Sequence, residues 1–419
     1  MTKKIGRNRR AAILVLTLWI VVVLGLISAS MLSEIYLGLK LAKYQRDDFE
    51  AMALARAGVA KAVADLRNDL IMDRDVREEP VDALSDIWAR TDEEKTGKDN
   101  EGVPMGRGAF HVWIDDEASK LNPSMVNENV LKAALSELGL EKPEMEKVAA
   151  AIIDYVDPDN DARPPGVGKE DEYYSSVVAK EAGVRWDRNQ PPVFHCKNDK
   201  LSSLEELLSV PGVTPKLLYG VDLEDEVPES PVERLKARAE DARTGKRPDK
   251  KIGLRDIFSV QAPGPINVNT ADRLVLRILF RSVLDNPQVS AALADKVLAA
   301  RGDGKRAAGG NQKVFRSARD LTPAMGQAGV AERLMQSPGL IVRSDWYHIW
   351  ALGEVKGTAR LISASVTRSI DVCAPDALNP LIDRGIINPR LVEAFRRRHQ
   401  FNREPIEQPT VRVVQWQEL

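Results

Sequence analysis

The sequence predicts an α+β fold: one long N-terminal helix backing an antiparallel sheet, with a large α-helical domain inserted between the strands of that sheet. Three observations predict it. An uncharged run, Ala11 to Leu32, passes into an amphipathic stretch with no proline before Pro80. Strand-like patterns occur at residues 107–116 and are strong again only from Leu340 onward. Between them, residues 120–335 are dominated by apolar residues recurring at three and four positions, the helical period.

The first element is the apolar run. As helix, residues 11–32 would span ~33 Å, about the hydrocarbon thickness of a bilayer. Lys3, Lys4, Arg7, Arg9 and Arg10 precede it with no acid among them, and the first acid is Glu34. Retention of positive charge on the cytoplasmic side places the N-terminus there and the bulk of the chain outside the cytoplasm. A secretory signal peptide, with Ser28, Ala29 and Ser30 as a small-residue cleavage site, and a plain single-span anchor are the simpler readings. Both predict a break after the run.

No break follows. Ala51, Leu54, Ala55, Gly58, Val59, Ala62, Val63 and Leu66 recur at helical spacing, while Arg56, Lys61, Asp65 and Arg67 take the other face. The pattern predicts a single helix from about Ala12 to about Leu70, ~88 Å long. Its docking face against the sheet is Leu54, Val59, Ala62, Val63 and Leu66. An apolar half followed by a one-sided half is the design of a type IV pilin-like subunit.

Residues 107–116 read as a strand by aromatic and β-branched content, as do Leu340–Val355 and Thr358–Ile370, joined as a hairpin around Lys356 and Gly357. Helical patterns fall at Val130–Leu138, Glu144–Val156, Ser203–Val210, Ala271–Val283 and Ser290–Arg301. Val221–Lys251 and Gly302–Gln312 read as exposed linkers. The expected organisation is a basic cytoplasmic leader (1–10), the transmembrane part of the helix (11–32), its amphipathic part (33–70) and the first part of the sheet (71–119). The inserted helical domain (120–335), the second part of the sheet (336–372) and a C-terminal tail (373–419) follow. The tail is expected to add a short helix near Leu391–Arg398 and a strand near Val411–Trp416.

Composition narrows the function classes. Across 419 residues, 60 Lys+Arg stand against 62 Asp+Glu, which excludes a surface built wholly for nucleic acid. Two cysteines, Cys196 and Cys373, exclude a disulfide scaffold and a Cys-based zinc site and leave a single disulfide open. No HExxH, GxSxG or P-loop occurs, and His111, His195, His348 and His399 read as packing or surface residues.

Residues 154–172 hold Asp154, Asp157, Asp159, Asp161, Glu170, Asp171 and Glu172, with Arg163 and Lys169. Pro158, Pro164, Pro165, Gly166 and Gly168 keep most of the stretch out of helix and let carboxylates converge. Convergent oxygens suit calcium. The EF-hand template fails, because its glycine position is Ala162 and its bidentate glutamate position is Gly168. A solvated acidic loop is the alternative.

Several stretches together resemble one family. They are RRAAILVLTLW (9–19), EAMALARAGVAKAVADL (50–66), DDEASKLNPS (115–124), AIIDYVDPDNDARPPGVGKEDEYY (151–174), LSSLEELLSVPGVTPKLLYG (201–220) and PINVNTADRLVL (265–276). In this order the chain resembles the large minor pseudopilins of bacterial type II secretion, the general secretion pathway protein K family. The resemblance implies a non-enzymatic tip subunit of the pseudopilus in the inner membrane, with I- and J-type minor pseudopilins, the secretion inner-membrane platform, prepilin peptidase and secreted cargo as partners. It implies structural calcium in the helical domain, on Asp157, Asp159, Asp161, Glu170 and Asp171, and leader cleavage at Arg10, Ala11 and Ala12, with methylation. The usual glycine before the cleavage bond is missing here: Gly6 is followed by Arg7. Counting from Ala11 or Ala12, the fifth residue is Val15 or Leu16 where most pilins carry Glu, consistent with the K family.

Two rival classes stand beside this one. SVPGVTP (209–215) and INVNTAD (266–272) resemble pieces of helix-hairpin-helix domains of membrane-anchored DNA receptors, but Glu205, Glu206, Asp222, Glu224, Asp225 and Glu226 around the first would repel phosphate. A secreted calcium-dependent enzyme would lose the residues before Met31.

Overall fold

The computed structural model of the chain describes residues 5–76, 81–89, 102–187, 189–220, 252–301, 314–325, 333–334, 339–373 and 406–418. Helix α1, Ile5–Val76, is a single element of 72 residues. With no proline or capping signal inside, nothing interrupts its hydrogen-bond ladder. Residues 13–46 are exposed throughout, and among the described residues this is the one helix long and apolar enough to cross a membrane.

From Asp47 onward the helix acquires a buried side. Ala51, Leu54, Ala55, Val59, Ala62 and Leu66 are buried and Val63 is half-buried, packed over Phe110, Val112, Ile114, Tyr347, Ile349, Ala351, Ile362 and Ala364. Each such Leu or Val contributes ~1.5–3 kcal/mol by leaving water. Close approach needs small residues on both partners. A Cβ at Gly58 would lie 3.1 Å from Ala351 Cβ and from Val112 Cγ2, and one at Gly353 would fall on the Ala51 carbonyl oxygen.

The strands are β1 (Val103–Met105), β2 (Gly108–Asp116), β3 (Ile266–Asn267), β4 (Leu340–Ile341), β5 (Trp346–Val355), β6 (Thr358–Cys373) and β7 (Ile406–Glu418). Five form one antiparallel sheet in the order β1-β2-β5-β6-β7. Lys356 (φ 49°) and Gly357 (φ 85°) are both left-handed, the requirement of a two-residue hairpin that follows strand twist. Strands β2 and β5 are adjacent although some 230 residues separate them in sequence.

The intervening residues build a second core around α2 (Glu128–Glu137), α3 (Lys142–Val156), α4 (Glu170–Glu181), α5 (Arg273–Leu284) and α6 (Pro287–Arg301). Leu131, Leu135, Ile152, Phe258, Ile278 and Leu279 lie in it, separate from the sheet-and-helix core. Caps set the helix starts: Asn127 accepts from Val130 N and Asp272 from Val275 N.

Two readings of the sequence change, and the strand expected in the tail is present. The expected strand Leu340–Val355 is two: β4 pairs in parallel with β3 of the insert, and only from Trp346 does the chain enter the main sheet. Ser344 marks the break, its N–H donating to the Asp82 carboxylate at 2.7 Å instead of to a strand. The segment Ser203–Val210 is 3-10 helix over Leu204–Ser209. The tail contributes β7, the outer strand beside β6, to the sheet itself. The expected linkers 221–251 and 302–312 and the expected helix 391–398 lie outside the described residues.

Where the two cores meet, Arg368 of β6 is buried. Its Nη1 donates to Asp69 of α1 at 2.9 Å, its Nη2 to Asp82, and its Nε to the Ser344 carbonyl at 3.1 Å. Its guanidinium lies 4.9 Å from the Tyr347 ring centroid. One cation thus joins the end of α1, the return of the chain from the insert and the sheet.

Replacing Ala62, which is fully buried, by Asp would place an unpaired charge between helix and sheet. The expected loss is ~3–5 kcal/mol, read by denaturant unfolding of the full chain in detergent; unchanged stability would contradict this docking face.

Candidate metal centre

Helix α3 ends on a carboxyl pair. Asp154, in its last turn, is fully buried; its Oδ2 accepts from Tyr174 Oη at 2.7 Å and from Arg163 N at 3.0 Å. Asp157 caps the helix, and its Oδ2 accepts from Arg163 Nη2 at 2.7 Å. The chain then loops through Pro158, Pro164 and Pro165 and re-enters helix at Glu170. Glu170, Asp171 and Glu172 occupy the first turn of α4, where the helix dipole favours acids. The sequence predicts an acidic loop over residues 154–172, and the end of that stretch is instead the first turn of a helix.

One carboxylate oxygen from each of Asp157, Asp159 and Glu170 can be chosen so that all lie within 4.8 Å of one another. Glu170 is fully buried, and neither of its oxygens has a hydrogen-bond partner; Asp157 Oδ1 is also buried without one. Burial, then the charges of Asp154 and Asp157, push the Glu170 carboxyl up to about 8. Burial likewise raises Asp154 despite its bonds to Tyr174 and Arg163. A buried carboxylate with no donor is costly. A divalent cation supplies the missing positive charge, and this acidic cluster could coordinate one.

The structure divides the residues singled out in the sequence. Asp157, Asp159 and Glu170 come together. Asp161 and Asp171 do not. Asp161 is exposed and accepts from Lys169 Nζ at 2.6 Å, and Asp171 turns to His195 Nδ1 at 2.8 Å and Cys196 N at 2.9 Å. Both carboxylates are held by donors outside the cluster. Two residues absent from the expected set adjoin it: Asp154, and Asn198, whose Nδ2 donates to the Asp159 carbonyl at 2.5 Å while its Oδ1 is buried and unpartnered. Helical phase could have found Asp154, one turn before Asp157. Nothing in the local sequence signals Asn198.

A second acidic group, Asp69, Asp82 and Asp86, lies at the junction of the cores. Arg368 already supplies positive charge there. Cys196 is a free thiol, raised by burial and by Glu170, and Cys373 lies in β6 with its side chain outside the described set. The leader residues Arg10, Ala11 and Ala12 are helical in backbone, and their side chains are outside it too. Of the two hairpin-like motifs, INVNTAD is buried at the junction: Asn267 donates to Asp116 and Ser344, and Asn269 to the Phe315 carbonyl.

A body of sheet and inserted helices hung on one helix, whose first part is wholly exposed and apolar, defines a pilin-like subunit. Residues 114–221, which carry the acidic cluster, match the sequence model described as type II secretion system, protein K. Over this stretch the chain is similar to the protein K family of type II secretion. Comparison with curated proteins gives no match. Among solved structures, the chain is similar to one in the crystal structure of the GspK-GspI-GspJ complex from the enterotoxigenic Escherichia coli type 2 secretion system. The identity is 15%, over 90% of this chain and 99% of that one, with a TM-score of 0.49.

The raised carboxyl of Glu170 makes protons compete with a cation. Without metal, the stability Glu170 contributes is present at low pH and lost as pH rises through about 8. Thermal unfolding in chelator should therefore show a fall in Tm between about pH 5 and 8 that is smaller in Glu170→Gln, and an added divalent cation should raise Tm more at pH 8 than at pH 6. Equal cation effects at both pH values would contradict the assignment.

Proposed function

We propose that the chain is the tip subunit of a type II secretion pseudopilus, anchored by α1 in the inner membrane with its N-terminus cytoplasmic. The observation that carries this reading is α1 itself, one helix whose apolar part is fully exposed and whose later part is buried under a sheet. Such a rod holds the globule to the membrane and offers its apolar surface to other pseudopilin helices, here the I- and J-type subunits and the inner-membrane platform. The basic residues Lys3, Lys4, Arg7, Arg9 and Arg10 support the orientation.

The insert supports the tip position. A body of ~200 residues projecting from every subunit would obstruct stacking along a thin filament, whereas a single copy at the end is unhindered. Val15 or Leu16 at the fifth position of the mature chain agrees with this. A carboxylate there would cost ~2.5–3.5 kcal/mol in the membrane unless a preceding subunit's amino terminus paired with it. The leader is removed at Arg10, Ala11 and Ala12 by prepilin peptidase, with methylation. Calcium is the cation assigned to Asp157, Asp159 and Glu170: at Ca–O distances of about 2.3–2.6 Å, opposed oxygens lie at most ~5 Å apart, and those of the cluster fall within 4.8 Å. From the tip the subunit initiates the pseudopilus and meets cargo.

Quantitative mass spectrometry of isolated pseudopili should find this chain at about one copy per filament together with I- and J-type subunits, and its deletion should abolish secretion. Periodic incorporation along the filament, or secretion unaffected by deletion, would refute the reading.

A further inference from the structure

Asp116 ends β2 at the point where the chain leaves the sheet for the insert. Its carboxylate is buried, and four neutral donors hold it: Ala118 N at 2.8 Å on Oδ1, and Thr270 Oγ1 at 2.5 Å, Ser344 Oγ at 2.6 Å and Asn267 Nδ2 at 3.2 Å on Oδ2. Asn267 and Thr270 belong to the insert, and Ser344 lies where the chain returns to the sheet. A single side chain therefore closes the neck through which the insert is attached.

The charges around it are unequal. Asp82, in residues 81–89, acts on it by its charge and forms one acidic group with Asp69 of α1 and Asp86. Tyr347 faces it from β5 and Arg368 from β6. The insert presents neutral Asn267 and Thr270, with Arg301 of α6 on the Val268 carbonyl at 2.7 Å. Glu117 and His348 lie alongside, 3.4 Å apart. The Arg368 guanidinium is bound by Asp69 and Asp82, and Ser344 binds Asp116 through its hydroxyl and Asp82 through its N–H. Two carboxylates thus meet at one serine, and the guanidinium serves Asp82 rather than Asp116.

We propose that Asp116 is a proton-responsive latch between insert and sheet, closing the neck most firmly when its carboxyl carries a proton. The hydroxyls of Thr270 and Ser344 can donate to the carboxylate or accept from the acid, so the network serves both states. Burial first, and the charge of Asp82, push the group up to about 7 against the bonds from Ser344 and Thr270. An acid raised in the folded state lends stability that is fully present below its ordinary value and is lost as pH rises through the folded one. The neck should loosen between about pH 4 and 7 and change no further above that.

Hydrogen exchange of the full chain in detergent, corrected for intrinsic rates, tests this at the Val268 amide, which donates to the Ile341 carbonyl, and at the Ser344 amide, which donates to the Asp82 carboxylate. The opening constant of the wild type, relative to Asp116→Asn, should rise about tenfold per pH unit between pH 5 and 7 and level off by pH 8, since one proton is linked to opening. A ratio independent of pH would overturn the latch. If Asp116→Asn does not fold, the wild type alone decides: a slope ending near pH 7 at these two amides and absent from α2 supports the proposal, and a flat profile at them overturns it.

Discussion

The burial of one face of α1 against the sheet is the constraint on which the rest of the structure depends. A 72-residue helix has no tertiary support over its apolar part. Its direction relative to the globule is set where Ala51 to Leu66 press on β2, β5 and β6. Glycines at 58 and 353 bring the axes close, and the ion pairs of Arg107 with Asp47, Arg360 with Asp48 and Arg56 with Glu418 clasp the helix to the sheet. Because the same rod carries the membrane-facing surface, the packing that folds the globule also aims it.

The insert obeys a different constraint. It has its own apolar core and meets the body across a buried polar layer of Asp69, Asp82, Asp116, Asn267, Ser344 and Arg368. Buried ionic groups of this kind contribute little net stability against apolar replacements, yet each loses several kcal/mol, about 3–5, when one partner is removed. Such a layer fixes one orientation rather than many. The insert therefore holds the acidic cluster in a defined position relative to the axis of α1.

Much of this was legible in the sequence where a pattern is local. The absence of proline before Pro80 and the recurrence from Ala51 to Leu66 revealed the rod, and aromatic and β-branched content with the Lys356–Gly357 turn revealed β2 and the β5–β6 hairpin. The misreadings share a cause. Leu340 and Ile341 look like the start of β5, but their strand partners, Ile266 and Asn267, lie far away in sequence. The acidic loop showed which carboxylates were near one another, not which had donors: Lys169 and the His195–Cys196 segment take Asp161 and Asp171 out of the cluster. Asn198 and Asn267 matter through contacts that no local spacing encodes. Val411–Trp416 was readable as a strand, but its place beside β6 was not.

The continuity of α1 in a membrane is tested most directly by the distance between spin labels at Ser30 and Ala60, both exposed, in the full chain reconstituted in lipid. A straight helix places them ~45 Å apart. A narrow distribution at that distance is expected. A broad or much shorter one, or loss of the first label with the amino-terminal segment on export, would contradict a single rod joining lipid to globule.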